Sequence, residues 1–233
     1  MRITFVLTIL CMLLGCSKSL VYSPSVHLSN RPLKEKEVDL QGGVELMPEA
    51  RPETLGGNPT TLGMHGQIGY GFGNRFNMSV KGWVDVEGRE NLTRAGYSLA
   101  GQFLLPVDSS SRWIVLPRIG MALNGSEVSG YGIGTSLLYQ QSINRNISWY
   151  GGLGLAWGFR YLDRKDLNAE NEEKLPMGLG LIGNAGLSWE FIDRLRLNLE
   201  LSPIYQLNTF DENSQFLLSP AVGVGYTIRR RTN

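Results

Sequence analysis

Thiols and imidazoles are almost missing from this chain of 233 residues, which has two cysteines and two histidines. Cys11 lies inside an apolar leader, so one cysteine would remain after cleavage and no disulfide could form. Tetrahedral zinc, which draws its ligands mainly from Cys and His, is not expected, nor is any other cofactor. Charge of one sign is also lacking. The 22 basic and 21 acidic residues nearly cancel, which leaves no basic excess to hold nucleic acid. Long apolar runs are the third absence. The 42% of hydrophobic residues are dispersed, and past the N-terminus none of them gather into a helix able to cross about 30 Å of hydrocarbon.

What the chain does have, from about residue 36 onward, is alternation. Leu195, Leu197, Leu199 and Leu201 share one parity, while Arg194, Arg196, Asn198, Glu200 and Ser202 share the other. Ten such segments predict an all-β protein, an antiparallel up-and-down transmembrane β-barrel of about ten strands, with eight as the other open count. The strands are expected near 36–47, 61–73, 75–87, 93–106, 112–124, 130–143, 146–160, 176–191, 193–206 and 216–229. Connections after odd strands are long and those after even strands are short. Outer-membrane barrels are built this way, with the short turns on the periplasmic side.

A soluble ligand-binding barrel would show the same period, so the two faces must choose the solvent. One face carries Gln67, Lys81, Asp85, Gln102, Arg118, Gln140, Asn184, Glu190, Arg196 and Glu200. These groups are costly in an apolar cavity but can pair inside a small membrane barrel. Aromatic residues fall at the strand ends. Phe72, Phe76, Phe103, Trp113, Tyr139, Trp149, Trp189 and Phe191 lie near the short turns, and Tyr97, Tyr131, Trp157, Phe159 and Tyr205 near the long loops. Two such belts match the interfacial girdles of a membrane barrel. Trp83 is out of phase with Val84 and Val86, and either crosses the lumen or marks a bulge. Runs such as Gly151-Gly152-Leu153-Gly154 lack the Lys-Ser or Lys-Thr of a phosphate loop, and fit glycine making room for large inward neighbours.

The N-terminus reads as an address. Residues 1–15 form a lipoprotein signal peptide, with Arg2 ahead of an apolar stretch that ends at Leu13-Leu14-Gly15 and Cys16. Lipidation is expected at Cys16, because stable anchoring needs two or more acyl chains. Residues 16–35 are expected to be lipid anchor and extended tether, with Pro24 and Pro32 favouring the extended form. The barrel would occupy 36–233. Cys16, Tyr22-Ser23-Pro24 and Asn30-Arg31-Pro32-Leu33-Lys34-Glu35-Lys36 resemble the start of small lipidated outer-membrane β-barrel proteins of the Bacteroidota type. The resemblance implies residence in the outer membrane of a Gram-negative bacterium with a lipid anchor, and carries over no catalytic residue. An even strand count puts that anchor on the periplasmic side.

Candidate chemistry is sparse. His27 belongs to the tether and is expected to be solvated. His65 falls inward near the loop end of its strand, with Glu45 and Asp85 inward on the flanking strands, and carboxylates beside an imidazole would orient it as a base. The run from Arg160 to Lys174 mixes both charges and could meet lipopolysaccharide or an envelope protein. The expected function is a structural or binding role at the envelope, in contact with outer-membrane lipids and without conduction. A barrel enzyme acting on envelope lipid or peptide, and a periplasmic ligand-binding barrel, are the alternatives.

Overall fold

A computed structural model describes residues 23–48, 60–86, 94–124, 127–160, 177–207 and 215–229. Ten strands run β1 (Val38–Pro48), β2 (Thr60–Gly73), β3 (Phe76–Asp85), β4 (Arg94–Pro106), β5 (Ser111–Asn124), β6 (Glu127–Ser142), β7 (Ile147–Arg160), β8 (Met177–Ile192), β9 (Leu195–Leu207) and β10 (Gln215–Ile228). Each pairs antiparallel with its sequence neighbour, and β1 pairs with β10 to close the barrel. Every strand end lies within three residues of the position expected from the alternation, and the count is ten.

The period of two decides which side chains meet the membrane. In β9, Leu199 is 43% exposed on the outside whereas Asn198 is fully buried in the lumen. Val222 and Ile119 continue the outer surface, and Ser219 and Arg118 the inner one. A charge on the outer face should therefore cost most at mid-membrane. Leu199→Arg is expected to lower folding stability by about 2 to 4 kcal/mol, and Ile228→Arg, at the short-turn end, by about 0 to 1 kcal/mol. Urea titrations of both variants folded into lipid vesicles would measure the difference, and equal losses would refute this placement of the faces.

The short turns are local devices. Asp108 Oδ1 accepts from the backbone nitrogens of Ser110 and Ser111 at 2.7 and 2.8 Å, and Asn144 Oδ1 does the same for Asn146 and Ile147 at 2.8 Å each. Such side-chain turns are what Asp and Asn favour. Hydrogen bonds from the Ser111 and Ser110 hydroxyls and from the Ser110 amide push the Asp108 carboxyl down to about 2. Between Ile192 and Leu195 the chain reverses with Arg194 at φ 70°, as a tight hairpin requires. At the other end, the connections contain residues 49–59, 87–93, 125–126, 161–176 and 208–214, outside the described residues. Nearly all of the charged run from Arg160 to Lys174 lies there.

Aromatic rings form two runs of contacts along the short-turn rim. Tyr70, Phe72, Phe76 and Phe103 follow one another with centroids 4.8, 5.6 and 4.9 Å apart. Trp113, Tyr139 and Trp149 follow at 5.1 and 5.8 Å. At the opposite end Tyr97, Tyr131 and Tyr205 are exposed on the outer surface. Trp83 points into the lumen without a bulge, paired in register with His65 on one side and Gly96 on the other. A Cβ at Gly96 would lie 2.5 Å from the Trp83 indole, so glycine there makes space for the ring.

The segment ahead of β1 departs from expectation. Residues 23–33 are not a solvated tether: they run through the barrel, with Ser23, Ser25, Val26, His27 and Leu28 each at most 4% exposed, and Lys34 and Glu35 are exposed at its mouth. The physical reason is room. Eight strands leave an interior that side chains just fill, and ten leave a wider one. Here one extended stretch of the chain takes the extra width.

Candidate functional site

The lumen and the segment inside it form the densest polar cluster among the described residues. The segment turns back at the short-turn mouth to become β1. Lys36 N donates to Gly71 O at 2.9 Å, Gly71 N donates to Glu37 O at 3.0 Å, and Lys36 adopts φ 66°. Gly71 is required there, since a Cβ would lie 2.1 Å from the Lys34 carbonyl oxygen. Arg31 Nη1 and Arg229 Nε reach Glu37 at 2.9 and 3.4 Å and fasten the turn.

From that mouth inward, wall side chains read the segment's backbone carbonyl by carbonyl. Arg112 Nη2 donates to Asn30 O at 3.3 Å, Gln140 Nε2 to Ser29 O at 2.8 Å, and Gln41 Nε2 to His27 O at 2.8 Å. Lys81 Nζ donates to Ser25 O at 3.1 Å, Asn184 Nδ2 to Pro24 O at 3.1 Å, and Arg118 Nη1 to Pro24 O at 3.3 Å. A buried extended chain has no sheet partner for these groups, so the wall must satisfy them. This explains why so many long polar residues face inward.

Two carboxylates take the donors. Glu200 accepts from the backbone nitrogens of Val26 and His27 at 2.8 Å, from Tyr150 Oη at 2.6 Å and from Asn184 Nδ2 at 3.0 Å. Glu45 accepts from Ser23 Oγ at 2.7 Å and from Ser25 Oγ, and lies 3.4 Å from Lys81 Nζ. Hydrogen bonds to charged acceptors are the strong ones, and buried carboxylates persist only when satisfied this way. Apolar contact completes the grip. Val26 and Leu28 pack with Leu104, Ile114, Leu116, Leu138 and Tyr150 in one buried cluster.

His27 is buried, not solvated, and stacks on His65 with ring centroids 4.5 Å apart. Glu45 Oε1 lies 4.0 Å from His65 Nδ1, so the expected proximity of these two residues is realised, though Glu45 also serves Lys81 and both serines. Asp85 pairs with Gly63, and the residue directly opposite His65 on β3 is Trp83. Two hydroxyls, an ammonium, a carboxylate and an imidazole thus meet in one place, a set that elsewhere performs nucleophilic chemistry. Access decides otherwise. The cavity beside Ser23, Ser25 and Lys81 measures about 10 Å³, room for one water and no substrate. In this arrangement the groups hold the segment. Among the described residues, no three His, Cys, Asp or Glu side chains converge as a metal site would need. Cys16 lies outside the described residues.

No protein-family model matches the chain, and no curated protein matches it in sequence. Solved structures do match in shape. The outer membrane protease OmpT from Escherichia coli is 9% identical, with a TM-score of 0.45, over 88% of this chain and 100% of that one. The KdgM porin is 10% identical with a TM-score of 0.39, over 83% and 99%. OprG from Pseudomonas aeruginosa is 12% identical with a TM-score of 0.39, over 87% and 100%. All three are outer-membrane β-barrel proteins, and the likeness is one of fold.

Sequence reasoning found the inward polar residues but not what they hold. Ser23, Ser25, Val26 and Leu28 belong to no periodic pattern, and short polar stretches with proline usually lie in solvent. A signal was nevertheless present. Ile114-Val115-Leu116 and Leu137-Leu138 break the alternation by placing apolar residues on both faces. An inward apolar patch in a polar lumen needs an apolar guest.

Proposed function

We propose that this protein is a self-plugged outer-membrane barrel, lipid-anchored through Cys16, with a structural or binding role at the envelope of a Gram-negative bacterium. The observation that carries this reading is the occupied lumen, in which residues 23–33 are gripped by both carboxylates and by most of the inward cations. A conduit needs a continuous water path, and the cavity of only about 10 Å³ beside Ser23 supports a closed lumen. The outward leucines, valines and aromatics fit outer-membrane lipid, and the charged run from Arg160 to Lys174 would meet lipopolysaccharide or an envelope protein from the loop end.

Two measurements test the two halves. Purified, folded protein in a planar bilayer should give no steady single-channel steps, and their presence would replace the plug by a pore. Cys16→Ser should abolish palmitate incorporation and leave the precursor uncleaved. Label retained in that variant would refute the anchor while leaving the plugged barrel intact.

A further inference from the structure

The lumen segment has a direction, and the direction has a consequence for the side of the membrane on which the mature N-terminus lies. Partners along it climb the wall in order. Asn30 meets Arg112, the second residue of β5, and Glu190 of β8 near the β8–β9 hairpin. Ser29 meets Gln140 and His27 meets Gln41, the fourth residue of β1. Pro24 meets Arg118, the eighth residue of β5, and Ser23 meets Glu45, the eighth of β1. Read toward the N-terminus, the chain therefore leaves the short-turn mouth at Asn30 and rises toward the long loops.

From the structure we infer that everything ahead of Ser23 leaves the barrel through the long-loop mouth, so that the acyl chains on Cys16 enter the outer leaflet from the cell surface. Six residues of β5 remain between Arg118 and Asn124. At about 3.3 Å per residue and a tilt of about 40°, they cover about 15 Å along the barrel axis. Seven residues from Ser23 back to Cys16 reach about 24 Å when extended, enough to clear the mouth and meet the interface. Return to the short-turn side is blocked. It would take a reversal inside the lumen and then a second chain alongside Pro24 to Pro32, where Leu28, Tyr150, Gln140 and Ser148 are already at most 2% exposed. The Gly71 turn closes the same exit, with the Lys34 carbonyl seated on the glycine backbone.

The orientation rests on the outer-membrane reading, and the acyl part rests on lipidation of Cys16. The test separates them. Ser19→Cys gives the mature, lipidated protein one thiol, to be labelled in whole cells with a membrane-impermeant maleimide. Label on intact cells should match label after lysis, a ratio near 1, and a rise of about tenfold or more on lysis would overturn the inference. A hydrophilic epitope inserted after Ser19 and probed by antibody gives a second readout, and heat-modifiable gel migration confirms that each variant is folded. An epitope after Asn233 should react only in lysed cells, because β10 ends at the short-turn side. Palmitate incorporation in wild type is scored separately. Surface label without palmitate removes the anchor and keeps the threading, whereas palmitate with label only after lysis removes the threading and keeps the anchor.

Discussion

Removal of residues 23–33 is expected to turn a silent barrel into a conducting one. The segment occupies the lumen along the lower half of the wall. Its backbone meets the hydrogen-bonding demand of Arg118, Lys81 and Glu200, and the Ser23 and Ser25 hydroxyls meet that of Glu45. Without it those charged groups keep their place but need new partners, and water is the one solvent that can supply them. Burial of Val26 and Leu28 contributes about 1.5 to 3 kcal/mol each, so the shortened barrel also loses stability. Planar-bilayer recordings of the full chain and the deleted variant, both shown to be folded by heat-modifiable migration, would make the comparison. A folded deletion variant that stays silent would mean that side chains alone seal the lumen.

The second large effect is expected at the strand pair that closes the barrel. Asp39 on β1 receives Arg196 of β9 in a bidentate grip at 2.6 and 2.5 Å, and Thr227 of β10 donates to it at 3.0 Å. The three residues bridge three adjacent strands, and Arg196 lies over Gly225, where a Cβ would come within 2.6 Å of the guanidinium. Asp39→Ala leaves a buried guanidinium without its carboxylate, a change that typically costs about 3 to 5 kcal/mol. Adding Arg196→Met should recover most of that loss, because the double variant buries no unpaired charge. Urea unfolding of the two single variants and the double variant in lipid vesicles would measure the coupling. Additive losses would show that the pair stabilises the seam no more than its packing does.

Much of the barrel was legible because one physical rule, the alternation of faces, operates ten times. Each strand declares its own register, and the turns declare themselves through Asp108, Asn144 and the residues around Arg194. The inward set was legible for the same reason. The occupant was not, because its contacts are long-range and non-repetitive: Val26 N to Glu200 spans 174 residues, and Arg118 to Pro24 spans 94. A proline-bearing polar stretch carries no local mark that a wall of donors and acceptors is waiting for it. His27 shows the point. Nothing near it in sequence foretells His65, yet the two rings stack.

The order of assembly follows from where the segment sits. Pairing β1 with β10 joins Val38 to Ile228, the ends of the sheet, and so carries the largest loop-closure entropy of any strand pair. On that ground the seam is expected to form last, on a sheet whose other nine ladders are already zipped. An open, curling sheet can lie down around a strip of chain, whereas a finished cylinder would have to swallow it end-on. The strip is thus wrapped, like a core around which a sleeve is buttoned. The acylated N-terminus proposed at Cys16 would then never have to be dragged through a completed channel.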